Sequence, residues 1–388
     1  MTKRYTVWSK IRFWFRDRWS RVDILDESLY TSHKKNPSYY IGTFIYVGLV
    51  VQIIVGSILA IYYIPTVENA YRSVMYITNE LKWTLFNMDI PIGFWLRGIH
   101  RYTAEAIIIL AMLRVFRFFF TADFKKPNEL SWLMAIFFLL LTTVFGFSGY
   151  VLIIDQVGYW ATTIGTTFPT VIDYLPVIGE FNIGALIQFI ARGGTVLNQN
   201  SFLRFYALHY ALPVLVFFGI EVFYYFRKKR RINAPIISIV IFFVILLIIT
   251  QVFGFHAKGP ATPDQPPDHI LPDWYFLFVY YFLKIMDFVS GIFFSVGFLA
   301  FVALMPWIER NPYLEARKRP LWIALGILGI IVFIVLSYRS YSITSTELIK
   351  GDVPYIFGIY GLVIIVGTIF QRKVYINEAK KARLVHQK

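Results

Sequence analysis

Two histidines stand out as residues able to do chemistry. The chain has six, at positions 33, 100, 209, 256, 269 and 386, and only His100 and His209 fall inside long apolar stretches. An ionisable side chain in a membrane span is costly and marks a functional site by default. One such histidine alone is equally well read as a neutral ring hydrogen-bonded to nearby backbone. Two at matching depth on two helices are a stronger signal. With no cysteine in the chain, thiolate clusters, disulfides and haem attached through a C-x-x-C-H motif are excluded, whereas paired imidazoles suit axial ligation of a non-covalently bound haem. Arg97 lies one turn before His100 and Arg204 five residues before His209, where cations can balance the haem propionates. Gly56 and Gly149 are small residues at the same depth on two further spans, and Gly42 lies 14 residues before Gly56 on the same helix face. Glycine lets a backbone approach a flat macrocycle closely, though ordinary close helix packing explains each one equally well.

The elements that must position these residues are membrane helices. Of 388 residues, 57% are hydrophobic and only 16% charged, against about 25% charged in a soluble domain. Runs of more than 18 uncharged residues span a bilayer core. Hydropathy predicts an all-α polytopic membrane protein with eight transmembrane helices, near residues 40–63, 94–120, 131–154, 202–226, 234–255, 285–308, 321–338 and 355–370. Residues 155–200 read as surface helices and loops. The expected organisation is a basic N-terminal segment (1–37), a four-helix haem-binding bundle with surface helices (38–231), a C-terminal four-helix part (232–371) and a basic tail (372–388). Within the first segment, Val7 to Trp19 alternates basic and aromatic residues and fits either an amphipathic surface helix or a plain basic tail. Lys and Arg gather in the termini and in the loops after the second, fourth and sixth spans. That pattern places both termini in the cytoplasm and accounts for most of the +15 net charge. Nothing in it supports a nucleic-acid partner.

In motif order the chain resembles cytochrome b of the quinol:cytochrome c oxidoreductase family, and nearly all of it takes part. The matching residues are Asn36-Pro37, Tyr40, Gly42, Gln52, Gly56, Leu59-Ala60 and Tyr63; Trp95-Leu96-Arg97-Gly98-Ile99-His100; Phe147-Ser148-Gly149-Tyr150-Val151-Leu152 with Asp155-Gln156 and Trp160; Arg204-Phe205-Tyr206-Ala207-Leu208-His209 with Leu212-Pro213; and Pro272-Asp273-Trp274-Tyr275-Phe276. The resemblance implies a respiratory subunit of the cell membrane, working with a Rieske-type iron–sulfur protein and other subunits, among them a terminal oxidase in some arrangements, and in contact with lipid. It implies quinol oxidation at the extracytoplasmic side, beside Asp273, Tyr275 and Tyr150. Asp273 stands where the family has Glu; it keeps a carboxylate able to take a proton, and a loop-turn role is the alternative.

The family's inner haem is ligated 14 or 15 residues further along the same two helices. Those positions hold Arg114, Phe223 and Tyr224, and Ala135 replaces the family's glycine. The resemblance therefore implies one haem, of b type or modified, with the inner site, about 21 Å away by helical rise, filled by side chains, lipid or quinone. Arg114 either contacts a lipid phosphate or quinone oxygen there or extends to the surface. Ile153-Ile154 replaces the family's Pro-Trp. Glu105 and Glu221 point away from the histidine stripe; a local ion pair or polar contact is favoured over a proton path. A cytochrome b-like scaffold in a quinol oxidase supercomplex, with little quinol chemistry of its own, is the alternative function, and a carboxylate-driven transporter is a third.

Overall fold

The structure is a computed structural model and describes residues 6–22, 24–25, 40–227, 232–255, 257–265, 270–342 and 352–386. Asn36-Pro37, His33, His256 and His269 lie outside them. In a bilayer every backbone N–H and C=O must be satisfied within the segment, so an apolar chain folds as helix. The helices are α1 (Val7–Arg21), α2 (Ile41–Tyr62), α3 (Ala70–Asn79), α4 (Ile92–Thr121), α5 (Glu129–Val151), α6 (Gln156–Gly165), α7 (Ile183–Arg192), α8 (Gln199–Arg227), α9 (Ile236–Phe253), α10 (Leu277–Ile285), α11 (Phe288–Ala303), α12 (Met305–Ile308), α13 (Pro320–Ser342) and α14 (Asp352–His386). One hairpin, β1 (Trp83–Leu85) with β2 (Met88–Ile90), interrupts the all-α pattern. Its turn residues Phe86 and Asn87 have φ of 51° and 64°, the primed geometry that matches strand twist.

Among the described residues, α2, α5, α8, α9, α13 and α14 are long and apolar enough to cross a membrane. The two other expected spans differ from this set for separate reasons. At 30 residues α4 is the longest of the first four spans, but it carries Arg97, Arg101, Glu105, Arg114 and Arg117. The expected span at 285–308 is covered by α11 and α12: Asp287 caps its start by accepting from Ser290 N–H at 3.0 Å, and α11 alone, with 16 residues, is shorter than the other six. The final span continues without a break through the basic tail, and α1 forms where the basic–aromatic alternation places it.

Packing defines two compact units, Asp23–Leu113 with Phe137–Ile270, and Met1–Val22 with Arg114–Ile136 and Leu271–Lys388. The first is built on α2, α8, α9 and most of α4 and α5. Its core includes Ala70, Val151, Ile154 and Phe202, with Tyr63, Phe147 and Tyr150 packed around them. The second centres on Tyr281, Phe282 and Leu336. Its α1 is held by Arg18, which pairs with buried Glu129 at 3.3 Å.

Candidate functional site

His100 on α4 and His209 on α8 face each other in the first unit. Their ring centroids are 6.2 Å apart and their planes cross at 77°. Two imidazoles bound to one metal atom through bonds of about 2 Å have ring centres roughly 6 Å apart, so the pair fits a single central metal. Both glycines expected at this depth stand against the rings. A Cβ on Gly56 would lie 3.0 Å from His100 Cε1, and one on Gly149 would lie 3.0 Å from His209 Cε1. The glycines thus bring α2 and α5 close to the two imidazoles, so that the rings are walled in by backbone.

Two supports escaped the residue-by-residue reading. Ser148 Oγ is 2.9 Å from His209 Nδ1. Gln52 Nε2 donates to the backbone carbonyl of His100 at 2.5 Å. Both lie inside the quoted motifs, but their partners are 61 and 48 residues away, and sequence spacing carries no signal for such a pairing.

Of the expected cations, Arg97 donates to Thr78 Oγ1 at 2.5 Å and lies 4.4 Å over the Phe255 ring. Arg204 is exposed, its guanidinium lying in the space beside Gly193, a residue with φ of +70°. The intramembrane acids both have partners. Glu105 pairs with Arg101 at 3.0 Å, and Glu221 accepts from the Tyr46 hydroxyl at 2.6 Å.

Beyond α5, Ile154 takes a left-handed conformation, φ 53°, unusual for a β-branched residue. It turns the chain so that Asp155 can hold two backbone groups. Asp155 accepts from Gly158 N–H at 2.8 Å, capping α6, and from Lys258 N–H at 2.9 Å. Gln156 N–H donates to the Gly259 carbonyl at 3.1 Å. The loop after α9 is thereby tied to the segment that replaces Pro-Trp. Tyr150 packs edge-on to Phe147 at 5.3 Å in this unit. In the other unit, buried Tyr275 donates to Asp273 Oδ2 at 3.2 Å. Asp273 precedes a short 3-10 turn but makes no side-chain cap to it.

At the expected inner positions, Arg114 is 1% exposed and its guanidinium lies 5.4 Å from the Phe118 ring, so it is buried instead of extending to the surface. Tyr224 is 1% exposed, and its hydroxyl accepts from Leu25 N–H at 3.0 Å. The Leu25 carbonyl fills the space beside Gly42, 1.5 Å from where a Cβ would be. Phe223 and Ala135 are buried.

Membrane-length helices that bring two half-buried imidazoles to metal-bridging distance define a class: integral membrane proteins built to hold a metal-centred cofactor between helices. Comparison with known proteins narrows it. Residues 26–231 match the family Cytochrome b/b6/petB, and residues 260–352 match Cytochrome b(C-terminal)/b6/petD. Cytochrome b6 of Porphyra purpurea is 35% identical over 231 residues, 59% of this chain and 100% of that protein. Cytochrome b6 of Prochlorococcus marinus (strain NATL1A) is 34% identical, covering 59% and 98%. A solved chain titled "Hyperthermophilic respiratory Complex III" shares the fold with a TM-score of 0.70 at 20% identity, covering 94% of this chain and 96% of that one. The chain belongs to the cytochrome b/b6 family. It is a haem-binding, membrane-integral electron-transport subunit.

Proposed function

We propose that this chain is the cytochrome b subunit of a respiratory quinol-oxidising complex, holding one haem between His100 and His209 and oxidising quinol at the extracytoplasmic face with a Rieske-type iron–sulfur partner. The observation that carries the proposal is the facing pair of imidazoles, 6.2 Å apart, each backed by a glycine. His100 and His209 would hold the haem, which when bound would supply a one-electron acceptor.

The chain's own residues bind and orient. Gly56 and Gly149 admit α2 and α5 to close range, and Gln52 holds the α4 backbone at His100. Quinol oxidation releases two protons as well as two electrons. On this reading Asp273 accepts one proton, and the Tyr275 hydroxyl that donates to its carboxylate orients it. The missing side-chain cap at Asp273 favours this role over a turn-forming one. Asp273→Asn is expected to slow quinol oxidation by the purified complex roughly tenfold, about 1.4 kcal/mol of barrier, with haem content unchanged. Full turnover at saturating quinol would restrict Asp273 to a structural role and favour the scaffold reading.

Three features support a single haem. Arg114 is a guanidinium, always protonated and unable to donate a lone pair to iron. The Tyr224 hydroxyl is engaged by Leu25 N–H. The Leu25 backbone occupies the approach to Gly42. Pigment extraction from the purified complex is expected to give one haem per copy of this chain, whereas two would mean that the inner site uses other ligands. The distribution of Lys and Arg supports a cytoplasmic location for both termini.

A further inference from the structure

We propose that Ser148 is the positioning residue that sets His209 in the tautomer and orientation required of an iron ligand. The inference rests on the haem-ligation reading above and goes beyond it.

Ser148 is fully buried on α5. Its Oγ lies 3.0 Å from the Phe145 carbonyl and 2.9 Å from His209 Nδ1 on α8. A carbonyl oxygen only accepts, and a serine hydroxyl has one proton. With that proton on Phe145, the contact with His209 runs the other way: Nδ1–H donates into the Oγ lone pair, beside the same Phe145 carbonyl, which also accepts from the ring. A neutral imidazole protonated at Nδ1 carries its free lone pair on Nε2, the nitrogen left to bind metal. The same bond restrains rotation of the ring about its Cβ–Cγ axis, because a flipped ring would put a carbon against Oγ. Gly149, the next residue, keeps the backbone thin enough for the approach.

The facing histidine is held differently. His100 Nδ1 has no hydrogen-bond partner among the described residues, and Gln52 grips its carbonyl instead of its ring. The two imidazoles are therefore unequal. A ligating imidazole that donates its second N–H is the more basic donor, so Ser148 makes His209 the stronger ligand and favours the oxidised metal.

Thr and Val have nearly the same shape and differ by the hydroxyl, which separates hydrogen bonding from packing. In the purified complex, Ser148→Val and the smaller Ser148→Ala are expected to raise the haem midpoint potential, change the low-spin electron paramagnetic resonance signal and weaken haem retention by about 10- to 100-fold. Ser148→Thr is expected to restore all three towards wild type. His209→Ala, assayed alongside, tests ligation separately. Haem lost from His209→Ala but an unchanged potential and retention in Ser148→Val would overturn the role of Ser148 alone. Haem retained in His209→Ala would overturn the ligation reading and this proposal with it.

Discussion

Replacing His209 or His100 with alanine is expected to abolish the low-spin haem spectrum of the purified complex. On the proposed reading each imidazole would supply one of the haem's two protein ligands. The chain has no cysteine, and among the described residues no cluster of three or more His, Cys, Asp or Glu could hold a metal. The glycines behind the rings bring backbone, not another donor, to the site. Loss of one imidazole would leave the haem a single protein ligand and weaken its retention, so the pyridine haemochrome yield should fall with the low-spin signal. Adding free imidazole to His209→Ala should recover part of the low-spin spectrum by entering the vacated volume. A variant with full haem and an unchanged spectrum would show that the iron is bound elsewhere.

Removing Glu309 is expected to destabilise the chain by about 3–5 kcal/mol, the range seen when one partner of a buried ion pair is taken away. Its carboxylate holds Arg319 through two bonds, at 2.5 and 2.6 Å, and both side chains are fully buried. Lys125 joins at 2.9 Å. Arg319 also donates to the carbonyls of Phe119 and Phe120 at the end of α4. Glu309→Gln would therefore leave buried Arg319 and half-buried Lys125 without their anion. Burial already holds Lys125 below its ordinary value, with Glu309 acting against that shift, so loss of the carboxylate should depress it further. Thermal unfolding of the detergent-solubilised complex measures the effect. A change no larger than that of an exposed control such as Lys381→Ala would mean that the cluster is not structurally important. Replacing Glu309 and Arg319 together by apolar residues should be much milder, since no charge is then stranded.

Much of this is legible in the amino-acid sequence itself. Composition leaves only a membrane protein, and apolar runs of spanning length leave only helices, because no other backbone satisfies itself in lipid without closing into a barrel. Two intramembrane histidines in a chain without cysteine point to imidazole ligation, and the histidines do face each other. Glu105 and Glu221, expected to make local polar contacts, each have such a partner. Element boundaries are less legible. Average hydropathy over a window treats Lys284 and Asp287 as dilute polarity, whereas the side-chain cap at Asp287 starts α11 at Phe288, just inside the expected 285–308.

Residue types and their spacing along the chain carry the class, the number of apolar stretches and the depth of the histidines, because each follows from period, length and burial cost within a single segment. Contacts between segments are different. That Leu25 would lie against Gly42 and donate to Tyr224, that Asp155 would tie down the loop at Lys258, that Arg319 would close on Glu309 across the end of α4, and that Ser148 would meet His209 are outcomes of packing. Each joins a donor to an acceptor that no local period relates. In a bilayer or a protein core, an unmet polar group costs several kcal/mol, so the partner is imposed by whichever acceptor the folded helices bring within reach.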